Sequence, residues 1–194
     1  MTTDNPIPTP MAIQPFLLIE KYYPEESELK RTLVAHSCLV AQKSLHVAAC
    51  HPELQLDTTF LVEAALLHDI GIFLTDAPGI GCTGKEPYLC HGYLGAELLR
   101  HEGYPRHARV CERHTGTGLT AGQIEQRGLP LPVRDFCPET REEQVICYAD
   151  KFYSKTRPTE EKSYEQARKS LARFGEEVVS RFDEWHRLFG PAGK

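Results

Sequence analysis

The stretch Leu66-Leu67-His68-Asp69-Ile70-Gly71 places two metal-binding side chains next to each other at the end of an apolar run. Burying a carboxylate and an imidazole side by side is costly unless a cation compensates them, and a metal ion supplies that charge. Further candidate ligands lie on both sides, His36 upstream and His91, His114 and Asp150 downstream. Together these four histidines and two aspartates suffice for two metal ions. His46, His51, His101, His107 and His186 fall among charged or turn residues and read as ordinary surface histidines.

Helices must position the six. Leu29, Leu33, His36, Val40, Ser44 and Val47 recur at three- and four-residue steps, giving an amphipathic helix with His36 on its inner face, opened by an acidic first turn after Pro24. Asp57 or Thr58 can cap a second helix whose stripe runs Leu61, Ala64, Ala65, His68, with Gly71 available to end it in a left-handed conformation. Residues 72–89, rich in Gly and Pro, read as a long functional or mobile loop. His91 starts a helix closed by Gly103, and Pro105 opens another that reaches His114. Thr120 with Gln123, and Thr140 with Glu143, have the spacing of capping boxes, the second heading a helix that carries Ile146, Ala149, Asp150 and Tyr153. After Arg157, a long charged C-terminal helix presents Tyr164, Ala167, Leu171, Phe174, Val178, Phe182, Trp185 and Leu188 as packing surface, for the core or for a second subunit, with Gly175 as a kink. No strand-length alternation appears, so the expected fold is all-α.

The chain of 194 residues carries a formal charge of −5 and shows no composition break. One domain over residues 16–190 is expected, preceded by a flexible tail over 1–15. The charge argues against a nucleic-acid or membrane-surface binder and toward a small-molecule partner. Seven scattered cysteines without paired spacing read as reduced thiols of a cytoplasmic protein. No run approaches the roughly 20 apolar residues of a membrane span.

His68-Asp69-Ile70-Gly71 and the order His36, His68-Asp69, His91, His114, Asp150 resemble the two-metal branch of the HD phosphohydrolase superfamily. The segments His91-Gly92-Tyr93-Leu94-Gly95-Ala96, His114-Thr115-Gly116 and Tyr148-Ala149-Asp150-Lys151 further resemble its bacterial symmetrical dinucleoside-tetraphosphate hydrolases. The resemblance implies a compact helical bundle, with His36, His68, Asp69 and Asp150 around one ion and Asp69, His91 and His114 around the other, Asp69 bridging. Two such ions activate a shared water and clamp a phosphoryl group. An imidazole-rich set without thiolates suits iron or manganese, and also zinc, better than magnesium or calcium.

Many relatives place a lysine directly after this signature, where this chain has Ile72-Phe73. Candidates to bind phosphate in its stead are Lys85 in the glycine-rich loop, Lys151, Arg157 and Thr115. Each has a plain reading beside it: a solvated loop charge for Lys85, surface ion pairing with Glu160 or Glu161 for Lys151 and Arg157, and a helix end for Thr115. The leading expectation is a metal-dependent hydrolase of a nucleotide-like phosphomonoester or phosphoanhydride. A mixed-valent diiron oxygenase of a small hydroxylated or phosphonate substrate, whose ligand set is similar, and a non-catalytic nucleotide sensor are the alternatives.

Overall fold

The inward stripe from Leu33 to Val47 is wound into α2 (Glu28–Cys50) in the computed structural model, which describes residues 13–157 and 160–191. Ser27 accepts a hydrogen bond from the Lys30 amide and so sets the start of α2, later than the acidic turn after Pro24 that the sequence suggests. A short helix, α1 (Pro15–Tyr22), comes before it and buries Leu18 and Ile19. The expected tail over 1–15 falls mostly outside the described residues, but Ile13 is already buried in the core.

Asp57 caps α3 (Thr58–Leu67), whose side chains are buried along most of its length. Gly71, in the turn that follows, is not left-handed, since its φ is −86°. Its reason is close approach: a Cβ there would collide with the backbone of His91 and Gly95 on α4 (His91–His101). Gly103, with φ of +85°, turns the chain into α5 (Pro105–Arg113), which packs back along α4. Both expected capping boxes are present, heading α6 (Ala121–Arg127) and α7 (Arg141–Asp150).

Two segments differ from the sequence reading. Residues 72–90 are not a bare loop but a small three-stranded sheet among 3-10 turns, with β1 (Thr75–Ala77) between β2 (Cys82–Thr83), antiparallel to it, and β3 (Glu86–Pro87), parallel to it. Strands of two or three residues are too short to show a period-two pattern. The long C-terminal helix is two helices, α8 (Tyr164–Leu171) and α9 (Glu176–Phe189). Gly175 stands between them at φ +113° and ψ 163°, a conformation that ends a helix rather than kinking it. The two fold back on each other: Arg168 binds Asp183 through both carboxylate oxygens, and the Tyr164 ring stacks on His186 at 3.8 Å.

Ala167, Leu171, Val178, Phe182 and Trp185 of this hairpin pack into the chain's own core, alongside Val40, Leu61 and Val145. A second cluster gathers Ile19, Leu33, Ile70 and Leu99. His36 sits on α2 between Leu33 of one cluster and Val40 of the other.

Candidate metal centre

Three of the four histidines reach the centre by the same local device. His68 just past α3, His91 at the start of α4 and His114 just past α5 each donate from Nδ1 to the carbonyl three residues earlier, of Ala65 at 2.6 Å, Tyr88 at 2.6 Å and Cys111 at 2.7 Å. A carbonyl only accepts, so Nδ1 carries a proton, and in the neutral ring Nε2 keeps its lone pair. This is the tautomer that a metal requires, held in orientation by the backbone.

Asp69 stands between the imidazoles and divides its oxygens among them. Its Oδ2 lies 3.0 Å from His68 Nε2 and 3.3 Å from His36 Nε2, while its Oδ1 lies 3.3 Å from His91 Nε2 and 3.4 Å from His114 Nε2. Asp150, the last residue of α7, adds Oδ1 at 2.9 Å from His36 Nε2 and 3.6 Å from His68 Nε2. Two groups of ligand-type atoms result, each within 4.8 Å mutually: His36, His68, Asp69 and Asp150, and Asp69, His91 and His114. All six residues are buried.

The vicinity fits cations. His68 Nε2 and both Asp69 oxygens are buried without a hydrogen-bond partner. His91 and His114 bring two unprotonated Nε2 atoms to 3.0 Å of each other, lone pair toward lone pair, a contact that a cation between them would relieve. Burial holds the His91 imidazole down at about 3 and lowers that of His114 as well. Burial alone would also lower His68, but the carboxylates of Asp69 and Asp150 outweigh it and raise it to about 9. Against a burial that favours their neutral forms, the charges of His68 and Lys155 keep Asp69 well below the usual carboxylate range, and Lys151 does the same for Asp150.

Two lysines supply the compensating charge. Lys155 Nζ lies 2.6 Å from Asp69 Oδ2, a charge contact whose angles are not those of a hydrogen bond. Lys151 donates to Asp150 Oδ2 at 2.6 Å and to the His114 carbonyl at 2.9 Å. Lys155, four residues beyond Lys151 and past the end of α7, is not among the cations that the sequence singles out. The other expected substrate contacts, Lys85, Arg157 and Thr115, do not line the cavity beside the centre. Lys85 is exposed between β2 and β3 and does not line the cavity beside the centre. Arg157 is exposed and pairs with Glu160 at 3.4 Å. Thr115 is half-buried, and its carbonyl accepts from the Gly118 amide, closing the turn after α5.

A cavity of about 520 Å³ opens beside Asp150. Lys151, Lys155, Lys162 and Arg173 line it, together with Tyr88 and Tyr153.

Residues 33–155 match the family model of the HD domain. The chain belongs to the HD-domain family. Over 147 residues, 71% of the chain, it is 32% identical to a tRNA (cytidine(56)-2'-O)-methyltransferase of Picrophilus torridus, of which it spans 38% of the length. Over 131 residues it is 30% identical to protein MJ0778 of Methanocaldococcus jannaschii, covering 66% of this chain and 70% of that one. Among solved structures, the HD domain of the L. monocytogenes phosphodiesterase PgpH superposes with a TM-score of 0.52 at 18% identity, over 90% of this chain and 86% of that one. The same domain has been solved in complex with cyclic-di-AMP. At that identity the HD-domain likeness establishes the shared helical fold. Among the described residues, no helix is long and apolar enough to cross a membrane.

Proposed function

We propose that this HD-domain protein is a metal-dependent phosphohydrolase acting on a phosphate ester or anhydride of a nucleotide-like small molecule. The observation that carries this reading is a carboxylate, Asp69, shared between two ligand groups, beside a cavity whose wall holds four cationic side chains. His36, His68, Asp69 and Asp150 would hold one divalent ion and Asp69, His91 and His114 the other, iron or manganese being favoured by the donor set. When bound, such a pair supplies Lewis-acid charge to a phosphoryl group and acidifies water for in-line attack.

The chain's own residues do the rest. Lys151 and Lys155 face the cavity with ammonium groups suited to phosphate oxygens, and they offset negative charge that builds as the ester bond breaks. Burial of the six ligands keeps bulk water from screening that charge. Water is consumed, the P–O bond is cleaved, and the proton passes to the leaving oxygen. Lys85 is absent from the wall, so the lysine missing after the signature has its counterpart in Lys155. Four cations there suit an anionic substrate, a phosphate ester for the hydrolase or a phosphonate for a diiron oxygenase, and release of phosphate without oxygen separates the two; none of the six ligand positions is vacant as it would be in a degenerate sensor.

The test is phosphate or nucleotide release by the iron- or manganese-loaded protein, without oxygen. The panel holds nucleotides, dinucleoside polyphosphates, sugar phosphates and, because the PgpH domain was solved with one, a cyclic dinucleotide. Release that disappears in Asp69→Ala supports the reading, and silence across the panel with both ions verified overturns it.

A further inference from the structure

The cavity beside the metal centre has two cationic ends of different origin. Lys151, directly after Asp150, and Lys155, past the end of α7, sit against Asp150 and Asp69. Lys162 and Arg173 come from the segments that lead into and out of α8, beyond the part of the chain matched to the HD domain, which stops at residue 155. Among the described residues neither Lys162 nor Arg173 forms an ion pair, whereas Lys43, Arg168 and Lys151 nearby in the fold all do. The amide of Lys162 is fixed by the Phe152 carbonyl at 2.8 Å, which anchors the lysine at the cavity, and Arg173 lies 4.6 Å above the Phe174 ring.

Lysines crowded together without carboxylates repel one another. Burial lowers the Lys162 ammonium below its ordinary range, and the neighbouring charges of Lys151, Arg173 and Lys155 add to that, opposed by Asp150. Among the described residues Asp150 is the one carboxylate in the cavity wall, and it is engaged by His36 and Lys151. Such a surplus of positive charge, in a chain whose net charge is −5, calls for an anion. Lys151 and Lys155 suffice for a phosphoryl group placed at the ligands, which leaves Lys162 and Arg173 for another.

We propose that Lys162 and Arg173 form a second anion subsite, contributed by the C-terminal hairpin, that selects substrates carrying at least one phosphate beyond the one being cleaved. The proposal rests on the phosphohydrolase reading for the position of the cleaved phosphate. The hairpin thereby sets specificity while the matched HD region sets chemistry. Arg173, with a planar fork of donors, suits two oxygens of one phosphate, and Lys162 serves as a point charge beside it.

The experiment is calorimetric binding of methylphosphonate and methylenediphosphonate, anions with one and two phosphoryl-type groups and no hydrolysable bond. It uses the manganese-loaded full chain with free manganese held constant in excess. Wild type is compared with Lys162→Ala, Arg173→Ala and the double variant, with manganese content and melting temperature measured on each. The expected result is a loss of about tenfold in methylenediphosphonate affinity per cation removed, with methylphosphonate affinity unchanged within twofold. Equal weakening of both anions would reduce the pair to a general electrostatic funnel and overturn the proposal, as would no change in either. The two readings fail separately. A diphosphonate preference lost in the variants of a protein that hydrolyses nothing leaves the subsite standing without the hydrolase. Hydrolysis with the diphosphonate indifferent to the variants leaves the hydrolase without the subsite.

Discussion

Lys155 holds its ammonium 2.6 Å from an Asp69 oxygen that solvent does not reach, so its removal leaves a buried carboxylate without that partner. In metal-free protein Lys155→Met is expected to cost roughly 3 kcal/mol of stability. In metal-loaded protein the cost should nearly vanish, because the ions then supply the charge. Chemical denaturation of both forms checks this, and an equal loss in the two would mean that Lys155 serves packing alone. The six candidate ligands that the fold brings together were legible as a group because metal chemistry favours His and Asp and because helical spacing places them on inner faces or at helix ends. Lys155 was not, since lysines are common on surfaces and nothing in its neighbours Ser154 and Thr156 announces that it is buried. Lys85 attracted attention by lying in a glycine-rich stretch, but the short β1–β2–β3 sheet holds that stretch and leaves Lys85 exposed.

Gly71 and Gly175 show how two glycines can serve different ends at the scale of the element. Gly71 lets the turn bearing His68 and Asp69 press against the backbone of α4, which carries His91. Gly71→Ala is expected to destabilise the fold by about 1–3 kcal/mol and to weaken metal binding, since relief of the clash must move Asp69 or His91. A variant with unchanged melting temperature and metal affinity would contradict that. Gly175 separates α8 from α9, and the Arg168–Asp183 pair clasps the two. The Asp183 carboxyl is held below its ordinary range by Arg168, with burial opposing, so its contribution is present above pH 3.8 and is lost as pH falls further. Asp183→Asn should therefore cost about 0.5–1 kcal/mol at neutral pH, with the difference from wild type closing in acid. Caps and apolar stripes made the helices readable, including the Thr120 and Thr140 boxes. The break at Gly175 was read as a kink because the apolar spacing continues across it from Leu171 to Val178. Only the backbone conformation shows that the stripe folds back on itself.

At the scale of the molecule, the candidate centre lies where two apolar clusters meet, and its six side chains come from the ends or faces of α2, α3, α4, α5 and α7. Ion binding there would tie five helices together. For a chain of 194 residues, manganese at a hundred times its dissociation constant should add about 2.7 kcal/mol and raise the melting temperature by about 5–10 °C. The C-terminal hairpin completes the cavity from outside the matched HD region, and its charges at Lys162 and Arg173 are where this chain's substrate preference is expected to lie. Fold class could be read from helical periodicity, and the gathering of six His and Asp side chains from residue type and spacing. The cavity could not, because it is assembled from residues as distant as Tyr88 and Arg173.

The proposed division of Asp69 between two ions is open to direct measurement. Manganese or iron bound per chain, counted by elemental analysis after equilibrium dialysis of wild type, Asp69→Ala and His91→Ala, is expected to give two ions, none and one. Two ions retained by Asp69→Ala, or a wild type that saturates at one, would contradict a centre bridged by Asp69.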